Sequence, residues 1–378
     1  MLDVVRMTII LHLAKNVLNE YNYYCKLLRR QEVNMQHQIT EKKPLLDEKG
    51  ILTEAGYATS LVLDYDRKAI KGGALRIKEW DYYLITDGKV GVALTIADNS
   101  YMGLDSISFL DFEEPWEKTV SPMRIMTMGK TGFPATSDEG DVEIFGKNYF
   151  ISFKNDGEKR VLSFKMDKFH MDEPIKGEIV LENTKPETMV IATPFPKKET
   201  AFYYNQKINC LPASGYVEIY GRKHTFTPDT AFGVLDWGRG VWTYKNTWYW
   251  GSASGTYEGK PFGFNIGYGF GDTSAASENM LFFDGKAHKL SQVTFNIPKD
   301  AKGEDEFMEP WTFTSDDGRF EMDFVPIIDR ASNTDFKILC SKQHQVFGKF
   351  TGKAVLDDGT VLELKDFFGF AEKVFNKW

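Results

Sequence analysis

Eight landmarks recur in the same order along this chain of 378 residues. Leu63-Asp64-Tyr65-Asp66-Arg67 returns as Leu235-Asp236-Trp237-Gly238-Arg239, Trp80 as Trp248, and Gly88-Lys89 as Gly259-Lys260. Asp98 returns as Asp272, Phe109-Leu110-Asp111 as Phe282-Phe283-Asp284, and Asp156-Gly157 as Asp317-Gly318. His170 returns as His344, and Gly177 with Val180-Leu181 as Gly352 with Val355-Leu356. Any one match is cheap, but an ordered set whose offsets stay between 160 and 175 residues marks a duplicated unit. A chain longer than the roughly 250 to 300 residues at which one core stops growing has room for two. The junction is expected near Thr193-Pro194-Phe195-Pro196-Lys197-Lys198, where prolines and lysines suit an exposed linker. The expected domains are then residues 35–196 and 197–378.

Within each half the spacing is that of strands. Tyr216-Val217-Glu218-Ile219-Tyr220 and the stretch 355–364 are short, rich in β-branched and aromatic residues, and bounded by glycine-containing turns. Asp-Gly pairs at 87, 156, 284, 317 and 358 suit tight hairpins. The 29 Phe, 17 Tyr and 8 Trp point the same way. No strand-helix-strand rhythm appears. The predicted fold is all-β: a tandem duplication of two antiparallel, lipocalin-like barrels or curved sheets, with two β-sandwiches as the alternative.

A net charge of -8, without basic runs interleaved with aromatics, argues against nucleic acid as a partner. Cys25, Cys210 and Cys340 stand far apart, which signals neither a disulfide framework nor a metal site and suits a reducing cytoplasm. Apolar residues recur at helical spacing from Ile10 to Leu28, but no run approaches the ~20 residues of a membrane span. Gln31-Glu32-Val33-Asn34-Met35 can be encoded with a purine-rich ribosome-binding sequence before a start codon. Two readings of residues 1–34 therefore stand: a non-native amphipathic extension before a start at Met35, or a genuine surface helix.

GxSxG, HExxH and EF-hand signatures are absent. Met128-Gly129-Lys130-Thr131 resembles the end of a phosphate loop, but Arg124 stands where its first glycine belongs. Gly267-Tyr268-Gly269-Phe270-Gly271 lacks the dinucleotide spacing and suits a bending strand. No cofactor or metal is expected.

Three constellations carry chemistry. Asp236 and Arg239, with Trp237, Trp242, Tyr244, Trp248 and Trp250, form either a charged grip within an aromatic wall or a structural ion pair. Alternation places Trp248 and Trp250 on one face of a strand, as cavity lining, sugar platform or core. Asn265, Tyr268, Asp272 and Glu278 border a strip of glycines that leaves room beside Asn265. Glu278 lies six residues before Asp284 as Asp105 lies six before Asp111, so an acidic group there belongs to the duplicated plan. His344 is a candidate general acid or base, or a structural hydrogen-bonding residue like its counterpart His170.

Residues 35–378 resemble the bacterial domain of unknown function 2804 family. The stretches that carry the resemblance are DWGRGVW (236–242), WYWGSASG (248–255), GFNIGYGFGDTSAASENMLFFDG (263–285), SDEGDVEIFG (137–146) and QHQVFGKFTG (343–352). The resemblance implies a two-barrel lipocalin-like (calycin) architecture, related more distantly to carotenoid-hydratase-like and tocopherol-cyclase-like proteins, and supplies no catalytic residues. Three functions follow. The first is a barrel that binds a small, partly hydrophobic molecule, with hydration, isomerisation or cyclisation driven by Asp236 or Glu278 as proton donor, His344 as partner and Arg239 as anchor. The second is carbohydrate binding or processing on Trp248 and Trp250 with Asp236 and Glu278 as paired carboxylates. The third is a non-catalytic structural or interaction module. The residues leave open whether the chain is an enzyme, and its oligomeric state.

Overall fold

The computed structural model describes residues 36–335 and 340–377, so the expected 1–34 extension and Met35 lie outside the described residues. No α-helix occurs among the described residues. The first half contributes β1 (Ile77–Thr86), β2 (Val90–Asp98), β3 (Met102–Asp111) and β4 (Trp116–Val120), a meander. It continues with β5 (Val142–Phe145), β6 (Tyr149–Asn155), β7 (Lys159–His170), β8 (Glu173–Glu182), β9 (Met189–Pro194), β10 (Phe202–Ile219) and β11 (Phe232–Val241). The second half repeats the plan as β12 (Lys245–Tyr257), β13 (Lys260–Tyr268), β14 (Met280–Phe283) and β15 (Lys286–Lys289). After it come β16 (Val293–Asn296), β17 (Trp311–Ser315), β18 (Phe320–Asp335), β19 (Cys340–Val355) and β20 (Val361–Lys377).

Each half is one continuous antiparallel ladder, which distinguishes it from a sandwich of two separate sheets. The first runs β4-β3-β2-β1-β11-β10-β8-β7-β6-β5, with β9 also on β10; the second runs β15-β14-β13-β12-β20-β19-β18-β17-β16. Both ladders curl around their own cores. In the second, Phe264 of β13 meets Phe320 of β18 and Phe350 of β19 at 5.0 Å each across the interior. Asp87-Gly88, with Gly88 at φ 80°, closes the β1–β2 hairpin as the dipeptide predicts.

The stretch 193–198, expected as the junction, is instead the β9–β10 hairpin inside the first sheet. The chain changes sheets between Val241 and Lys245. Proline and lysine mark an exposed turn equally well whether it joins strands or domains. The extra strand β11 lies between β1 and β10, whereas in the second sheet β12 pairs with β20 directly. The Asp64-to-Arg67 and Asp236-to-Arg239 segments are therefore not equivalent.

The two sheets belong to one compact unit and meet face to face. Tyr82, Leu84 and Val234 of the first pack on Trp250, Phe347 and Phe370 of the second. Central strands are thus buried on both faces, and β11 is buried at every position. That doubly covered contact holds the cluster of polar groups described next.

Candidate functional site

In β10, Phe202 and Tyr204 enter the first core, so the alternate residues Tyr203, Asn205 and Lys207 face the second sheet. Beside them on β11, Asp236 faces the same way, while Trp237 and Arg239 point into the first core. Residues three apart in a strand project from opposite faces, so the expected Asp236–Arg239 pair does not form. Asp236 instead meets Lys207 Nζ at 2.8 Å and accepts a 2.6 Å hydrogen bond from Asn205 Nδ2. Arg239 pairs with Asp81 at 3.0 Å.

From the second sheet, Trp248 and Trp250 of β12 face this cluster while Tyr249 turns to the second core. Lys207 Nζ lies 3.8 Å from the Trp250 ring centroid. Trp250 donates its indole N–H to Asn265 Oδ1 at 2.7 Å, and Asn265 Nδ2 donates to the Glu278 carbonyl at 2.9 Å. On β20, Glu372 accepts from Trp248 Nε1 and from Gln345 Nε2, each at 3.1 Å.

Two carboxyls here are shifted to neutrality. Burial pushes Glu278 up to about 7, with the Lys207 ammonium opposing and Asp236 adding to the shift. Its carboxylate accepts no hydrogen bond and forms no ion pair among the described residues. The strip beside Asn265 is filled by this group, since a Cβ at Gly267 would lie 3.7 Å from Glu278 Oε2. Burial likewise pushes Glu372 up to about 7, against the Trp248 hydrogen bond and the charges of Lys207 and Arg330. The matching acid of the first half, Asp105, is neutralised by Arg124, whose Nε and Nη2 both donate at 2.8 Å. The second copy keeps the acid at this position without such a cation. A carboxyl that titrates near neutrality can both give and accept a proton.

Over the cluster sits an aromatic box. The loop after β13 exposes Gly269 and Asp272 but sends Phe270 inward, where it meets Tyr203 at 4.7 Å, Phe195 and Trp248 at 5.2 Å and Trp242 at 5.3 Å. Gly269 at φ 93° and Gly271 at φ 79° allow this single-residue dip. Two small cavities, one between the sheets beside Ser252 and Phe370 and one beside Trp237 in the first barrel, measure about 20 and 10 Å³. That is room for about one water each.

The remaining candidates lie apart from the cluster. His344 turns to the second core, where its Nδ1 is 2.7 Å from Asp329 and its ring stacks 3.8 Å from Phe307. Tyr268 stacks on Tyr249 at 4.5 Å, Tyr244 is exposed, and Asp272 caps its own loop through Ser274 N. Sequence reasoning missed Lys207, Glu372, Asn205, Tyr203 and Gln345. The available signal was charge inside long apolar strands, in FYYNQKINC (202–210) and GFAEKVF (369–375).

The family described as a domain of unknown function, DUF2804, matches residues 36–378. No curated protein matches the chain. A crystal structure provisionally identified as AttH from Nitrosomonas europaea superposes with a TM-score of 0.54 at 11% identity, covering 87% of this chain and 98% of its own. Kievitone hydratase from Nectria haematococca superposes with a TM-score of 0.46 at 10% identity, covering 79% and 88%. The first likeness is one of fold.

Proposed function

The chain belongs to the DUF2804 family, and on that premise we propose that its inter-sheet cluster binds a small, partly hydrophobic, unsaturated molecule and transforms it by acid–base chemistry. The reaction class is hydration, isomerisation or cyclisation. The observation that carries this reading is the pair Glu278 and Glu372, two buried carboxyls pushed up to about 7, one on the Trp248 indole N–H and the other tied through Asn265 to Trp250.

In a hydration, the protonated Glu278 carboxyl gives its proton to one carbon of a double bond, leaving a cation on the other. An indole face stabilises such a cation as the Trp250 ring stabilises the Lys207 ammonium. A water oxygen bonds to the cation and releases its proton to Glu372, which Trp248 and Gln345 hold in place. Isomerisation uses the same two groups, with a neighbouring carbon losing the proton. The aromatic box around Phe270 supplies the apolar subsite once the loop lifts that ring out.

The test is incubation of the protein with a metabolite extract of its source cells in D2O, read by mass spectrometry. Deuterium enters one extract component with the wild type, and Glu278→Gln stops the incorporation. Absence of incorporation with the wild type would overturn the acid–base reading.

A non-catalytic role draws support from the filled interiors and predicts that outcome. Carbohydrate stacking has less support, because Trp248 is covered by Phe270, and Trp250 by Tyr82 and Phe370, edge to face.

A further inference from the structure

We infer that the interior of the first barrel is a binding site for a small monoanion of chloride or formate size, held between Arg160 and Arg239. This inference does not depend on the chemistry proposed for the inter-sheet cluster.

Arg160 and Arg239 are 1% and 0% exposed. Arg239 donates through Nη1 to Asp81 Oδ1 at 3.0 Å and to the Trp80 and Gly238 carbonyls, and through Nη2 to the Pro134 carbonyl. Its guanidinium lies 4.1 Å from the Trp237 ring centroid and 4.7 Å from that of Phe133. Arg160 donates through Nη2 to the Ser137 carbonyl at 2.8 Å and has no carboxylate at ion-pair distance among the described residues. Asp81 feels both arginines, and so does Tyr83, whose hydroxyl lies beside Arg160. Arg239 pairs with Asp81 and also acts on Glu79, so Arg160 is the buried cation without a carboxylate of its own.

Four buried donors in this region have no acceptor: Arg160 Nε and Nη1, Arg239 Nε and Trp237 Nε1. Leaving a buried guanidinium without its counter-charge is strongly destabilising, and burying unmet donors adds to the cost. One water offers two lone pairs, fewer than these donors require. A monoanion matches both the charge excess and the number of donors, and burial keeps the Tyr83 hydroxyl protonated as a further donor.

The segment 133–141 closes this end of the barrel. Its Pro134 and Ser137 carbonyls take arginine donors, and the Ser137 hydroxyl contacts Gln206. Backbone oxygens thus take one Nη2 from each arginine and leave both Nε groups and Arg160 Nη1 unmet. The about 10 Å³ space lined by Asp81, Tyr83, Ser137 and Trp237 adjoins them, so a larger ligand enters only if the segment lifts.

The experiment is thermal unfolding of the full chain in sodium chloride, sodium formate or sodium gluconate at constant ionic strength. Chloride or formate is expected to raise the unfolding temperature saturably above the gluconate value. Arg160→Met should weaken the midpoint of that response about tenfold or more, and Trp237→Phe, which keeps an aromatic face but loses the indole N–H and its five-membered ring, by a smaller factor. Equal unfolding temperatures in the three salts would overturn the site, as would a response kept in full by both variants.

Discussion

Lys207 of the first sheet lies 3.8 Å above the Trp250 ring of the second, and its ammonium is the positive centre around which Asp236, Glu278 and Glu372 are arranged. The same ammonium opposes the upward shift that burial imposes on both glutamates, so one side chain joins the halves and tempers the protonation of their interface.

Removing it exposes the cost of that arrangement. Lys207→Met leaves Asp236 buried without its cation and should destabilise the protein by about 3 to 5 kcal/mol in urea unfolding. Adding Asp236→Asn should recover a large part of that loss, because the stranded charge is gone. A single variant within about 0.5 kcal/mol of the wild type would mean that the pair is solvated rather than buried.

The pH dependence of stability has a definite shape. Glu278 and Glu372 have folded-state pKa values near 7, above the ordinary 4.5, so the unfolded state releases their protons first. Their contribution is complete below pH 4.5 and is lost as pH rises through 7. Lys78 and Lys289 are lowered by burial from 10.5 to about 7, so their contribution is complete above 10.5 and is lost as pH falls through 7. Urea midpoints should therefore pass through a minimum near pH 7, and Glu278→Gln should raise the pH 7 value relative to pH 5. A maximum near pH 7 would contradict the protonation states assigned to the cluster.

Gly238 is required by its neighbour across the ladder. It pairs with Trp80, and a Cβ there would lie 2.0 Å from Trp80 Cζ2. The indole cannot retreat freely, being stacked on Tyr203 at 6.1 Å and set edge-on to Trp242 at 5.4 Å. Gly238→Ala should cost about 1 to 3 kcal/mol by thermal unfolding, the usual penalty for overpacking.

The sequence repeat reads the strand plan well because it is written in turns and strand-end residues. Trp80 and Trp248 fall in β1 and β12, and Asp156-Gly157 and Asp317-Gly318 fall between β6 and β7 and between β17 and β18. Gly177 and Gly352 fall in β8 and β19. His170 and His344 do not correspond, since one ends β7 and the other begins β19. The site was harder to read for a physical reason. A strand with one wet face alternates polar and apolar residues, but β10 and β11 are covered on both faces, which erases the period and hides which way Lys207 points. The Asp236–Arg239 pairing failed on the same ground, because adjacency in sequence says nothing of face until the strand is known.

Phe270 offers the most direct check on whether the cluster admits a ligand. Its ring fills a box made by Tyr203, Phe195, Trp242 and Trp248, and Trp248 in turn holds Glu372. Phe270→Ala removes the ring while leaving the box walls, which belong to other elements. The variant should bind one equivalent of N-phenyl-1-naphthylamine with fluorescence enhancement, about tenfold or more tightly than the wild type. Cooperative unfolding with an unchanged urea slope would show that the probe enters a formed pocket rather than a loosened core. If the variant retains that cooperativity and binds the dye no better than the wild type, the box has collapsed, and the apolar subsite must be sought elsewhere along the sheet contact.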